Sequence, residues 1–237
     1  MRAVDAVVAA LAASPDSPIS WIVGEPCFEP PPELAEALAS AAKSPSFRYP
    51  AYSGLPALRE VLAARFEEEG QATAPDQITI TSGAKCGLLA LFATLLEPGD
   101  EIIHPQPCYP AYPAMARRLG ARPVAVGERD GDFSGWAEDV ARSVGPRTRA
   151  VVLASPSNPT GATLDPAEAN NLFELCSAHG IRLICDEAYA DFRFTTDRHA
   201  LPADLDPDLS TVVRVRSASK SWALCGWRLG WITADGS

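Results

Sequence analysis

QITITSGAKCGLLALFATLLEPGDEIIH, residues 77–104, sets two short runs, Ile78 to Thr81 and Glu101 to His104, on either side of a helical pattern that opens after Gly83. The alternation continues down the chain, with strand candidates at Arg122 to Val126, Ala150 to Ala154, Arg182 to Cys185, Val212 to Val215 and Leu229 to Thr233. Short strands separated by helix-length patterns are the signature of a parallel α/β sheet, not of a sandwich or bundle. Most of these runs are apolar without strict alternation, as expected of strands covered by helices on both faces. The expected fold is therefore α/β: a mostly parallel seven-stranded sheet in a three-layer α/β/α arrangement.

Helix signals agree with this reading. One helix is expected from Asp165 to just before Gly180, with Pro166 in its first turn and Glu168 placed to complete a capping box. Another begins after Ser53-Gly54-Leu55-Pro56 and is expected to turn Leu58, Val61, Leu62 and Phe66 to one face. The beginning of the chain differs. It is irregular and proline-rich around Glu25-Pro26 and Glu29 to Pro32, so residues 1–48 read as an arm plus an extended connection and 49–237 as the main domain. Arg2 and the apolar run after it loosely imitate a secretory signal. Asp5 interrupts the charged end, and Val4, Val7, Val8 and Leu11 fall at helical spacing, so an amphipathic arm is expected instead.

Composition narrows the function classes. The chain has 237 residues, is 47% hydrophobic and carries a formal net charge of −10. That charge argues against nucleic acid or an anionic membrane as the main partner, because both demand a basic face. No segment approaches the roughly 18 apolar residues of a membrane helix. The six cysteines form no CxxC pair and show no metal-ligand spacing with the three histidines, so no metal is expected. Reduced thiols and a cytoplasmic location are the simple expectation. The sequon-like Asn158-Pro159-Thr160 is void because its middle residue is proline.

Five elements can carry chemistry. Ser217-Ala218-Ser219-Lys220 is followed by Gly226-Trp227-Arg228-Leu229-Gly230. A lysine just after a buried strand can be desolvated, as an amine must be to attack an aldehyde near neutrality. Arg228, flanked by glycines that allow close backbone approach, can offer a bidentate fork to phosphate. Thr81-Ser82-Gly83-Ala84-Lys85 runs from a strand through glycine into a helix, where backbone N–H groups favour an anion. Neither a P-loop nor a GxGxxG turn is present, which weighs against nucleotide binding. Cys185-Asp186-Glu187-Ala188-Tyr189 puts an acid at the carboxyl end of a buried strand, where α/β sheets bind ligands. Such a carboxylate beneath a pyridine nitrogen keeps it protonated and makes the ring an electron sink. Ser155-Pro156-Ser157-Asn158-Pro159-Thr160-Gly161 can present the Asn158 amide to a phenolic oxygen. Tyr109, in Pro105-Gln106-Pro107-Cys108-Tyr109-Pro110, can stack on a flat ring. Taken singly, each element is also explained by ordinary turns, caps or core packing.

The five elements in this chain order resemble the class I/II aminotransferases, fold-type I enzymes that depend on pyridoxal 5'-phosphate (PLP). The resemblance extends from Gly24-Glu25-Pro26 to the end of the chain and includes Tyr49, five residues before Gly54. It implies a PLP-binding large domain in which Lys220 holds the cofactor as a Schiff base and shuttles a proton once displaced by substrate. Asp186 then pairs with the pyridine nitrogen, Asn158 and Tyr189 hydrogen-bond the phenolic oxygen, and Tyr109 stacks on the ring. Gly83, Ala84, Lys85, Ser217 and Arg228 form the phosphate end, and Tyr49 reaches the phosphate of a neighbouring subunit, which implies a homodimer. Gly24 and Asn158 lie beside the substrate. Lys220, Asp186 and Tyr189 are thus the implied catalytic residues, and amino acid and 2-oxo acid the implied substrates in amino acid metabolism.

Two departures stand out. Cys27 replaces an aspartate common in the family's Gly-Glu-Pro-Asp-Phe stretch. Family members also continue well beyond this point into a small domain carrying the arginine for the substrate carboxylate, so the resemblance implies an incomplete large domain with the small domain absent. Arg193 and Arg214 are available cations, but neither sits in a matching motif. Transamination, carbon–sulfur β-elimination on the same site, and a truncated non-catalytic PLP-binding or interaction module remain the three readings.

Overall fold

The computed structural model describes residues 6–7, 9–11, 13, 24–43, 48–128, 132–192, 194 and 202–235. Seven strands form one sheet: β1 (Ile78–Thr81), β2 (Glu101–Gln106), β3 (Arg122–Gly127), β4 (Thr148–Ala154), β5 (Arg182–Asp186), β6 (Val212–Ser217) and β7 (Gly230–Thr233). Their order is β1-β7-β6-β5-β4-β2-β3, and β7 runs antiparallel to both of its neighbours while the other pairings are parallel. The expected mostly parallel sheet is present, with each run found within two residues of its expected bounds. β2, β5 and β6 extend further at their carboxyl ends, to Gln106, Asp186 and Ser217, and these are the ends that carry site residues.

Alternation along the strands divides the core. Val151 and Leu153 of β4 pack with Trp136, Leu172 and Leu183 on one face. Ala150 and Val152 pack with Leu88, Phe92, Ile184 and Val213 on the other. A third cluster joins Leu62, Phe66, Ile78 and Trp231. Each fully buried aliphatic or aromatic side chain contributes about 1.5–3 kcal/mol, so the sheet is a rigid platform for the loops at its edge.

The helices are α1 (Glu33–Ala42), α2 (Pro56–Glu68), α3 (Ala84–Leu95), α4 (Ala111–Arg118), α5 (Trp136–Ser143), α6 (Pro166–His179) and the single turn α7 (Ala218–Ser221). α6 begins and ends as expected: Asp165 accepts from the amides of Ala167 and Glu168, and Gly180 closes it at φ 64°. The capping box is not formed. The Glu168 carboxylate instead accepts from the amides of Gly135 (2.7 Å) and Ala137 (3.0 Å), so it caps α5 across the interface. On α2, Leu62 and Phe66 are buried, but Val61 is 66% exposed and lies off the expected face. α1 is a helix in a segment expected to be extended. It buries no residue, and its helicity follows from an alanine-rich stretch led by Glu33 and Glu36 in the first turn. Val4 and Val8 of the expected amphipathic arm lie outside the described residues, and Val7 is exposed. Among the described residues no helix is long and apolar enough to cross a membrane, and no His/Cys/Asp/Glu group is placed to hold a metal ion.

Candidate functional site

The carboxyl ends of β1, β2, β4, β5 and β6 lie along one edge of the sheet. Gly230, at the start of antiparallel β7, pairs with both Thr81 and Ser217 and so draws the first and last of these ends together. Above them lies a cavity of about 440 Å³ whose walls include Gly24, Ala84, Lys85, Tyr109, Asn158, Asp186, Tyr189, Ser217, Lys220 and Arg228. Residues drawn from seven separate stretches of sequence thus meet in one place. A second cavity of about 390 Å³ shares Gly24, Asn158, Tyr189 and Lys220 with it and is walled further by Pro156, Pro159 and Phe192.

One part of the cavity wall has the chemistry to hold an anion. Gly83 has φ 82°, and a Cβ there would fall 2.5 Å from the Arg228 guanidinium; a Cβ on Gly230 would fall 2.6 Å from the Ala84 amide nitrogen. Glycine at both positions lets the guanidinium and the β6–β7 edge close on the amino end of α3, where the leading amides of a helix favour negative charge. Arg228 itself is left-handed (φ 56°), uncommon for a residue with a side chain, and its guanidinium donates to the Cys225 carbonyl at 2.9 Å. The Ser217 hydroxyl accepts from the Ser219 amide and donates to the Leu229 carbonyl, fixing the turn that carries Lys220. Ser219 also faces the cavity; no motif singles it out, although it stands in the same Ser217-to-Lys220 run.

The same cavity holds Asp186. Its carboxylate accepts from the Tyr112 hydroxyl at 2.8 Å and from the Ala188 amide at 3.2 Å. Burial pushes its carboxyl up to about 6, against the lowering effect of those two hydrogen bonds. Tyr109 meets Tyr112 edge to face, with ring centroids 5.6 Å apart. Burial and the nearby Asp186 also push the Tyr109 and Tyr189 hydroxyls up, so both remain protonated donors near neutrality. Tyr112 is a site neighbour that the sequence motifs miss. Its signal is the Tyr109-to-Tyr112 spacing of three, which turns both rings toward one side of a helix start.

The Lys220 ammonium donates to the Gly24 carbonyl, tying the amino-terminal segment to the turn after β6. A Cβ on Gly24 would meet the Tyr189 hydroxyl at 3.3 Å, so glycine keeps that passage open. Asn158 lines both cavities from a loop in which the Ser155–Pro156 and Asn158–Pro159 bonds are cis. Tyr49 does not join this cavity and is fully exposed. Arg214 is not an available cation: its guanidinium is buried and paired with both oxygens of Glu187, at 2.9 and 2.8 Å. Arg193 lies outside the described residues.

The donor set suits PLP on observations of this chain. A glycine-formed cradle under Arg228 matches a phosphate, a buried carboxylate matches a ring nitrogen, and the Lys220 amine lines the same cavity. The comparisons with known proteins agree. A family model for aminotransferase class I and II matches residues 16–236. The chain is 39% identical over 212 residues to an arginine–pyruvate transaminase of Pseudomonas aeruginosa, covering 89% of this chain and 54% of that protein. It is 36% identical over 211 residues to an aspartate aminotransferase of Geobacillus stearothermophilus, covering 88% and 54%. The solved structure of aspartate aminotransferase from Thermus thermophilus with maleate superposes with a TM-score of 0.89 at 32% identity, covering 99% of this chain and 61% of that one. The chain spans about half the length of the curated relatives it matches. With matching fold and sequence, the chain belongs to the class I and II aminotransferases, a PLP-dependent family.

Proposed function

We propose that residues 49–237 are the PLP-binding large domain of an aminotransferase that moves an amino group between an L-amino acid and a 2-oxo acid, with residues 1–48 an arm that delivers Gly24 to the site. The observation that carries this is the cavity of about 440 Å³ flanked by Lys220, buried Asp186 and the Gly83–Arg228 cradle. When bound, PLP supplies an electrophilic carbon for the amino group and a ring that takes up electron density. The chain's own residues do the rest. Arg228, Ser217 and the amides of Ala84 and Lys85 would anchor the phosphate, while the Gly83 amide is committed to the Thr81 carbonyl at 2.8 Å and Gly83 serves by its lack of a side chain. Asp186 holds a proton on the ring nitrogen, Tyr109 stacks on the ring, and Asn158 and Tyr189 hold the phenolic oxygen. Lys220 Nζ would hold the cofactor and, once freed by the incoming amino group, would move a proton at the substrate Cα. Gly24 and Asn158 border the substrate.

The same reading makes the molecule a homodimer. Tyr49 and Tyr52 are fully exposed, and Leu55 and Val61 expose apolar surface along the same segment. A partner subunit covering them would receive Tyr49 at its own phosphate end. All six thiols are free, Cys176 and Cys185 being buried, which fits a reducing, cytoplasmic compartment. The activity test is a single half-reaction: PLP-loaded protein mixed with an amino acid should release one 2-oxo acid per bound cofactor, without ammonia. Continuous ammonia release would favour β-elimination, and no product from any donor would remove the enzymatic reading.

A further inference from the structure

Tyr112 lies outside the set of residues assigned to the cofactor, yet it is 1% exposed and touches two of them. It sits in the first turn of α4, and its amide donates to the Tyr109 carbonyl at 3.1 Å, so the backbone locks the two tyrosines together. Its hydroxyl reaches across the sheet edge to Asp186 Oδ2 at 2.8 Å, while its ring meets the Tyr109 ring at an interplanar angle of 84°. We propose that Tyr112 is a positioning residue that fixes both the charge and the direction of the Asp186 carboxylate and braces the aromatic wall formed by Tyr109. The proposal rests on the assignment of the cavity to PLP.

The chemistry follows from what Asp186 faces. From α4 it faces Tyr112, and from the segment leading into α4 it faces Tyr109. From its own strand and the turn after it, Cys185, Glu187 and Tyr189 are close, and across the cavity stand Lys220, Arg228 and, on α3, Lys85. Glu187 is already neutralised by Arg214 and Arg216. Of these neighbours, Tyr112 is the side chain that hydrogen-bonds the carboxylate, complementing the Ala188 amide on the other oxygen. A donated hydrogen bond favours the ionised form of an acid that burial would otherwise neutralise. Burial holds the Tyr112 hydroxyl well above the ordinary phenol range, so it remains a donor at every working pH. A carboxylate held ionised and aimed is what a protonated ring nitrogen needs.

The test uses Tyr112→Phe, which removes one oxygen and keeps the ring, with Tyr112→His as a variant that restores a donor. Carboxyl-labelled aspartate followed by NMR in the cofactor-free chain, with Asp186→Asn for assignment, reads the Asp186 titration directly. The Phe variant should titrate about one pH unit higher, which weakens PLP binding about twofold near neutrality and approaches tenfold below about pH 5. The His variant should recover part of both. A purely structural role would lower the melting temperature without moving the titration. An unmoved titration and an unmoved pH profile of PLP affinity in a folded Phe variant would overturn the proposal, and so would failure of both variants to fold. If the unsubstituted chain takes up no PLP, it is the cofactor assignment that fails, while the NMR titration still decides the role of Tyr112.

Discussion

Asp186 and Glu187 are consecutive buried carboxylates that the protein drives in opposite directions, one up to about 6 and the other down to about 2. Successive side chains at the end of a strand point to opposite faces. Asp186 faces the cavity, where burial dominates over two hydrogen bonds. Glu187 faces α2. There burial also pushes its carboxyl up, but the Arg214 and Arg216 guanidiniums outweigh it, and both lie over the Phe66 ring at 4.5 and 4.8 Å. Arg216 goes on to Glu69 at 2.8 Å, which carries the network to the end of α2. The strand end thus sets an acid toward the cavity on one side and a fixed anchor on the other.

For Asp186 the linkage has a definite sign. Its folded value of about 6 lies above the ordinary 3.8, so the cofactor-free fold loses stability as pH rises between those values. Asp186→Asn should therefore gain about 2–3 kcal/mol relative to the unsubstituted chain between about pH 4 and pH 7, while losing PLP affinity. Denaturant melts at the two pH values check this; a difference independent of pH would contradict it.

Glu187 has the opposite sign. Its stabilising contribution is present above its ordinary 4.5 and is lost as pH falls toward about 2. Glu187→Gln leaves two buried guanidiniums facing a neutral amide, and urea unfolding near neutrality should show a loss of about 3–5 kcal/mol. A loss under about 1 kcal/mol would show that the network is solvated.

Gly83→Ala places a methyl group against the Arg228 guanidinium at a backbone φ of 82°. At φ 82° and ψ 161° the backbone lies in a region that essentially only glycine adopts, and the strain costs about 1–3 kcal/mol. Displacing the guanidinium should weaken PLP binding about tenfold, since hydrogen bonds to charged groups are worth about 1.5–3 kcal/mol. Fluorescence titration with PLP reads the effect, and unchanged affinity would remove Arg228 from the phosphate end.

Val61→Glu tests the subunit face. On an exposed surface such a change stays within about 0.5 kcal/mol of stability. In a subunit interface it buries an unpaired charge, so sedimentation velocity should show monomers where the unsubstituted chain is dimeric. A dimer that survives the substitution would place the interface elsewhere.

Much of the fold and of the cavity wall is legible in the sequence because the strands are continuous apolar runs and the site residues sit at their ends. What escapes a linear reading is held by tertiary contacts. Arg214 reads as a spare cation in isolation, yet Val212 to Ser217 carries Arg214 and Arg216 on one face of a buried strand, a pattern that demands an acid partner. Glu168 satisfies the spacing of a capping box but finds better donors at the start of α5. Tyr112 looks like helix packing until Asp186 is placed beside it, and Val61 looks like core until α2 is set on the sheet.

The central claim concerns Lys220. Borohydride reduction of the chain mixed with PLP, followed by peptide mass mapping, should place a single stable adduct on the peptide containing Lys220, and Lys220→Ala should take up none. An adduct on another lysine, or equal labelling of the alanine variant, would contradict the account.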